Sequence, residues 1–435
     1  VALIRPGPIQ GGSVHPYIRR RNGEEPVTYL HPLLENSLAK TLGVPLFQEQ
    51  MMQMAIDVAG FSPSEADQLR QAMGSKRSME RMERLKCRLF EGMAERGIEG
   101  EIAVQIYEKL AAFANYGFPE SHSVSFAYLV YASCWLKFHY PAAFCAALLR
   151  SQPMGFYSPH SLVQDARRHG VQVREPDMNR SDWQPGLEPC DTSEGKVAVR
   201  LGFSSVRHVG KDLAKELEAG QPYHSIEDVA RRGSGAKGGV NKRVLEALAT
   251  AGAFRCFDQH AEGRGRREDL WTAGAAVAAR PDRLPGIVVG LDSPDLPAMT
   301  PQQQALADLW ATGISANGHP TRFLREALTE RGVTCGSDLM VAPLDRTVRV
   351  AGVVTHRQRP ATAGGTMFIN LEDETGLINV VCSLGCWKRY RTVARRAPAL
   401  LVTGRVERSE GVVNVIAHAL EWLPLQAPVH SRDFR

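Results

Sequence analysis

Cysteine is scarce in this chain, with eight residues among 435. Only Cys382 and Cys386 lie close together, and no second pair or histidine follows at zinc-finger spacing. A disulfide framework and a zinc ribbon are therefore excluded, and the thiols read as reduced structural residues of a cytoplasmic protein. Long hydrophobic runs are missing too. The longest apolar patch, Ala142 to Leu149, is closed by Arg150 and is too short to span a bilayer, and no signal peptide is evident. The hydrophobic share of 43% and the charged share of 23% are ordinary for a globular protein. They exclude a wholly disordered chain, a collagen and a disulfide-rich miniprotein. The opening VALIRPGP starts inside what reads as a continuing pattern, so a fragment or processed chain is expected.

Net charge is +5, and it is unevenly placed. From Asp345 onward, 13 lysines and arginines face 8 acids, while the residues before it hold 39 of each. A basic C-terminal module on a neutral body suits a polyanion partner, and equally an ordinary basic soluble domain.

The pattern predicts a multidomain α+β chain. The region 1–170 is mainly helical. Arg5 to Gly12 is a Pro/Gly-rich loop. Helices are predicted over Phe47–Val58, from Ser64 (a capping box with Asp67) through Arg70 to a stop near Gly74, over Ser78–Arg96 and over Ile102–Ala114. A loop over Tyr116–His122 leads into a buried helix, Val124–Tyr140, and Pro141 starts another reaching Arg150. In 171–275 a strand is expected at Val197–Gly202, with helices over Val206–Glu218 and Asn241–Ala251. The SGAKGG stretch between those helices reads as a flexible break. Residues 276–344 read as a linker with short helices at Pro301–Thr312 and Thr321–Arg331. Residues 345–425 hold five β-branched runs: Thr347–Arg357, Met367–Glu372, Leu377–Cys382, Ala399–Val406 and Val412–His418. A helical stretch, Gly385–Val393, follows the third. That is the order of an OB-fold barrel, and this segment is expected to fold on its own. Residues 426–435 are a tail.

Several motifs are recognisable: IRPGP (Ile4–Pro8), FQEQMMQ (Phe47–Gln53), ADQLRQAMGSKR (Ala66–Arg77), FANYGFPESHSVSFA (Phe113–Ala127) and SRDFR (Ser431–Arg435). With them the chain resembles, collinearly and over essentially its whole length, the C-terminal part of the bacterial DNA polymerase III alpha subunit family. WATG (Trp310–Gly313), LEDETG (Leu371–Gly376) and the tail point to its error-prone branch. The resemblance implies the fingers region of a DNA-directed DNA polymerase, followed by tandem helix-hairpin-helix elements and the OB fold. A non-catalytic DNA-binding protein carrying the same modules is the alternative.

The resemblance gives roles to particular residues. Arg70, Lys76, Arg77, Tyr116 and His122 would face the incoming deoxynucleoside triphosphate. A guanidinium on a helix suits phosphate, and an aromatic beside His and Ser at a helix start suits an anion or a stacked base. The family usually carries a second arginine where this chain has Gln71, and Asn-Lys where it has Pro119-Glu120; both exchanges loosen the electrostatic grip on the substrate. Gly210 and Lys211 of the first hairpin and Gly252 of the second would meet DNA phosphates, although His208 stands where a first glycine is common. His356, Arg357, Arg359, Lys388 and Arg389 would line the strand-binding side of the barrel, with Phe368, Trp387 and Tyr390 as aromatics that equally suit packing. No Asp-x-Asp occurs anywhere, and the acidic Glu372-Asp373-Glu374 falls in a barrel turn. Catalytic and metal-binding residues are therefore expected upstream of Val1, where the full-length enzyme would hold Mg²⁺. No clamp-binding peptide is evident, Gln304-Ala305-Leu306 being a poor match. Expected partners are primer-template DNA, single-stranded DNA, deoxynucleoside triphosphates and accessory mutagenesis proteins that recruit the enzyme to the sliding clamp.

Overall fold

A computed structural model describes residues 14–73, 78–113, 118–155, 157–234, 239–257, 265–280, 282, 284, 286–360, 363–409, 412–425 and 432–434. The chain divides into two compact units, Val1–Trp135 and Leu136–Arg435. The Arg5–Gly12 loop, Lys76, Arg77, Tyr116 and most of the SGAKGG break lie outside the described residues.

The first unit is helical: α1 (Val14–Arg21), α2 (Gln48–Ala59), α3 (Pro63–Met73), α4 (Ser78–Glu95) and α5 (Gly100–Phe113). In α2, Met51, Met54, Ala55 and Val58 recur at helical spacing and are buried against Leu69, Met93, Ile106 and Leu110. Gln50 of the FQEQ motif is also buried. Its side-chain oxygen accepts from the amides of Leu46 and Phe47, and its amide donates to the Ser37 carbonyl and the Thr41 hydroxyl. The capping box of α3 lies two residues earlier than expected. Ser62 accepts from the Glu65 amide at 3.3 Å while the Glu65 carboxylate accepts from the Ser62 amide at 2.7 Å. Pro63 then occupies the first helical turn, where a missing N–H costs nothing.

The next helix, α6 (Glu120–His139), has no buried residue along its length, with Phe138 81% exposed. The buried helix expected there is corrected: its apolar residues surround the helix, and none of them is buried. It carries the chain from one unit to the other.

In the second unit α7 (Pro141–Arg150) and α8 (Pro159–Arg168) pack on a three-stranded sheet. The sheet comprises β1 (Val173–Arg174), β2 (Gly186–Pro189) and β3 (Val197–Arg200), in the order β1-β3-β2. Four helices follow: α9 (Lys211–Ala219), α10 (Ile226–Arg232), α11 (Lys242–Thr250) and α12 (Arg266–Ala276). They share a core of Phe203, Val206, Leu217, Val229, Leu248 and Phe254. The helix expected from Val206 starts instead at Lys211, because His208 has φ +66° and breaks the run. The expected linker is also largely structured. Although 286–299 forms no helix or strand, Val288 and Leu291 pack on the core. Helix α13 (Pro301–Thr312), capped by Thr300, buries Ala305, Asp308, Leu309 and Ala311. Helix α14 (Arg325–Glu330) and the short strand β4 (Val333–Thr334) complete the connection.

The last part is a closed barrel of β5 (Thr347–Gln358), β6 (Met367–Glu372), β7 (Leu377–Cys382), β8 (Ala399–Ser409) and β9 (Val412–Trp422). Pairing runs β5-β6-β7-β9-β8 and returns to β5. Helices α15 (Leu384–Arg389) and α16 (Arg391–Arg396) follow the third barrel strand, as expected for an OB fold. Val350, Val354, Ile369, Val380, Val402 and Val415 fill the interior. Strand β5 passes close to β6 at Gly352, where a Cβ would lie 2.7 Å from the Glu372 carbonyl oxygen. Strand β10 (Arg432–Phe434) from the tail pairs parallel to β5 at His356–Gln358.

Candidate nucleic-acid interface

In the first unit Arg70 stands half exposed on α3. Its Nε donates to Asp67 Oδ1 at 2.8 Å, and Gln71 donates to the other Asp67 oxygen at 2.7 Å. The hydrogen bond from Arg70 holds the Asp67 carboxyl below its usual range. Gln71, standing where the resemblance implies a second arginine, thus shares the carboxylate that orients the first. His122 is exposed in the first turn of α6, between Phe118 at 5.2 Å and Phe126 edge-on at 4.5 Å between ring centroids. The FQEQ motif fixes that turn. The Gln48 amide donates to the Phe118 carbonyl at 3.0 Å, and Glu49 accepts from the Glu120 amide at 2.8 Å. One amide at the start of α6 is therefore already occupied by a carboxylate.

In the second unit the two hairpins differ. At the first, Gly210 precedes α9 in extended backbone without a side-chain cap, and Arg207, His208, Gly210 and Lys211 are all exposed. Two tryptophans that the sequence did not single out for DNA contact organise its cations. The Arg207 guanidinium lies 5.1 Å from the Trp310 ring centroid, and its amide donates to the Ala311 carbonyl at 2.7 Å. Lys211 and Lys215 sit over Trp183 at 5.5 and 5.1 Å. His208 keeps the left-handed turn that a glycine would supply more easily.

The second hairpin is closed. Gly252 is buried, has φ +78°, and donates its N–H to the Ala249 carbonyl. A Cβ there would lie 2.4 Å from Glu175 Oε2. Gly252 therefore packs on a buried ionic cluster and has no free N–H for a phosphate, which corrects its expected role. In that cluster Arg266 reaches Glu175 at 2.6 Å and Asp308 at 2.7 Å. Burial outweighs Arg266 and pushes the Asp308 carboxyl up to about 7.

On the barrel, Arg357 is also corrected. It is 4% exposed, and its guanidinium donates to the carbonyls of Ala394 and Ala397, so it ties β5 to α16. His356 is half-buried, with Nδ1 3.0 Å from the Thr355 hydroxyl. Arg359 lies over Trp387 at 5.3 Å, Trp387 itself is buried, and Tyr390 packs against the core. Lys388 and Arg389 are exposed. Phe368 points outward from β6, and beside it Asn370 donates to Asn379 at 3.1 Å. Asn379 pairs in register with Asn414, so three asparagines run across β6, β7 and β9. An asparagine inside each of three β-branched runs was the available signal for that polar stripe.

The acidic turn after β6 is spent internally. Glu372 meets Arg168 at 2.9 Å and Ser161 at 3.2 Å, Asp373 accepts from the Gly336 amide at 2.8 Å, and Glu374 takes Thr321 and Arg325. Among the described residues no three metal-ligating side chains converge. The donor set does not fit the paired ions of phosphoryl transfer.

Residues 1–97 match the bacterial DNA polymerase III alpha subunit finger domain, 170–264 a helix-hairpin-helix motif, and 348–423 an OB-fold nucleic acid binding domain. That series defines a polymerase fingers region joined to two nucleic-acid-binding modules. The chain is similar, along its whole length, to bacterial error-prone DNA polymerases. Along its full length it is 58% identical to an error-prone DNA polymerase of Nocardia farcinica, 56% to one of Mycolicibacterium paratuberculosis and 51% to one of Corynebacterium glutamicum. It spans 38%, 39% and 40% of those proteins. The likeness to solved asparaginyl-tRNA synthetase from Pyrococcus horikoshii covers 19% of this chain and 20% of that one, at 22% identity and a TM-score of 0.17, and carries no argument.

Proposed function

We propose that the chain is the fingers-to-OB segment of an error-prone, damage-tolerant DNA-directed DNA polymerase acting in the cytoplasm. Whole-length similarity at 58% identity to a protein of that name carries this reading. The segment binds and orients; among the described residues its carboxylates do not fit the metal ions. Arg70 supplies a guanidinium for the incoming triphosphate, with Lys76, Arg77, Tyr116 and His122 completing the nucleotide side. Arg207, Gly210 and Lys211 supply phosphate contacts at the first hairpin, and the outer barrel face takes single-stranded template. Mg²⁺ would be held by palm residues beyond these 435, and accessory proteins would bring the enzyme to the sliding clamp. Primer extension tests the division of labour. The full-length protein should extend a primed template, and the 435-residue chain should bind the same DNA without extending it. Extension by the chain alone would overturn the assignment of chemistry to other residues. Failure to bind DNA would overturn the binding role.

A further inference from the structure

A pocket of about 390 Å³ opens between α7, α8 and the barrel, wholly within the second unit. Its walls are apolar: Phe144, Cys145 and Leu148 on α7, Leu162 and Ala166 on α8, and Leu377 at the start of β7. At its mouth Tyr157, 50% exposed, meets His356 of β5 edge to face with ring centroids 6.2 Å apart. Two acids line the pocket, and both are paired: Asp165 with Lys137 at 2.8 Å and Glu372 with Arg168 at 2.9 Å. Lys137 and Arg168 thus stand at the slot as charge-balanced pairs, with the His169 and His356 imidazoles beside them. Neither the nucleotide side of α3 nor the first hairpin uses it.

A slot with apolar walls, an aromatic lip and a charge-balanced rim is chemically matched to a flat, uncharged heterocycle. The face stacks, the edge meets polar groups, and the phosphodiester backbone stays outside the slot. We propose that this pocket takes one unstacked base of a single DNA strand crossing the barrel, with Tyr157 as its stacking face. The proposal rests on the reading of the chain as a DNA-binding segment.

The test is a cycle between strand bases and pocket. Affinity of the whole 435-residue chain is measured for a thymidine oligonucleotide and for a fully abasic strand of the same length, by fluorescence anisotropy. Tyr157→Leu removes the stacking ring from an exposed position, and Leu148→Trp fills the slot. Each should weaken the thymidine strand roughly 5- to 100-fold, as expected for one stacked base, and leave the abasic strand unchanged. Tyr157→Phe should keep wild-type affinity. Unchanged affinity for thymidine in Tyr157→Leu, or equal losses on the two strands, overturns the pocket. Displacement of the strand by micromolar thymidine monophosphate would make it a mononucleotide site and overturn the strand assignment. If neither strand binds the wild type, the DNA-binding reading itself fails.

Discussion

Arg70 is held by an exposed ion pair on its own helix. Its partner Asp67 lies on the same face of α3, and both side chains are over 40% exposed. Such a pair contributes little to folding, but it restricts the guanidinium to one direction. Arg70→Ala in the full-length polymerase should lower nucleotide use by about 10- to 100-fold, the worth of a charge-assisted phosphate contact, with DNA affinity much less affected. Gln71→Arg should raise nucleotide use. Steady-state kinetics over a nucleotide series checks both. Asp308 is the opposite case, a buried acid with a structural task. Burial pushes its carboxyl up to about 7 in the folded chain, from an ordinary 3.8. The folded state therefore binds more protons between those values. This group's contribution to stability is full at low pH and is lost as pH rises toward 7. Between pH 5 and 8 the wild type should lose at least about 1 kcal/mol relative to Asp308→Asn, as measured by urea unfolding.

At the scale of elements, the two hairpins differ in what they expose: the first turn is open and the second is packed. Gly252→Ala should cost about 1–3 kcal/mol of stability, since the backbone is left-handed and the space is filled. Its duplex-DNA affinity should stay within about twofold. Arg207→Ala and Lys211→Ala should instead leave the melting temperature nearly unchanged, weaken duplex binding and each reduce the salt slope by about one. The difference was not legible locally. Gly210 and Gly252 carry similar sequence signals, and what closes the second turn is Glu175, which comes from far along the chain. The barrel strands were legible, because alternating β-branched residues report burial within each strand. So were α2 and α7, whose apolar spacing and Pro141 are local. Arg357 misled because a basic residue in a strand reads as surface, yet α16 presents two carbonyls that satisfy it in the core. The α6 helix misled because apolar residues on every side normally mean burial. Three of the five residues expected at the nucleotide, Lys76, Arg77 and Tyr116, fall outside the described residues, so the resemblance alone carries them.

At the scale of the second unit, the LEDETG turn fastens the barrel to the helices before it. Glu372 and Asp373 are fully buried, and their cationic partners, Arg168 and Arg325, belong to α8 and α14. Removing one member of a buried pair leaves an uncompensated charge and typically costs about 3–5 kcal/mol. Arg325→Ala should therefore destabilise the whole chain by that order and split the barrel's unfolding from the rest, visible as a second calorimetric transition. The segment 345–424 has a core of its own and should still fold when excised. It should melt below the intact chain, because it leaves its cationic partners behind.

The neighbours of β5 bear on solubility. Strand β8 pairs with it over 347–353 and β6 over 353–358, while β4 covers 349–350 and β10 covers 356–358. The longest β-branched strand of the barrel thus offers almost no unpaired backbone to another molecule, the usual route to edge-to-edge aggregation. Deleting 426–435 would uncover the stretch beside His356. The shortened chain should self-associate at concentrations where the full chain sediments as a single species, and an extended peptide added in excess should suppress that association by occupying the vacated edge.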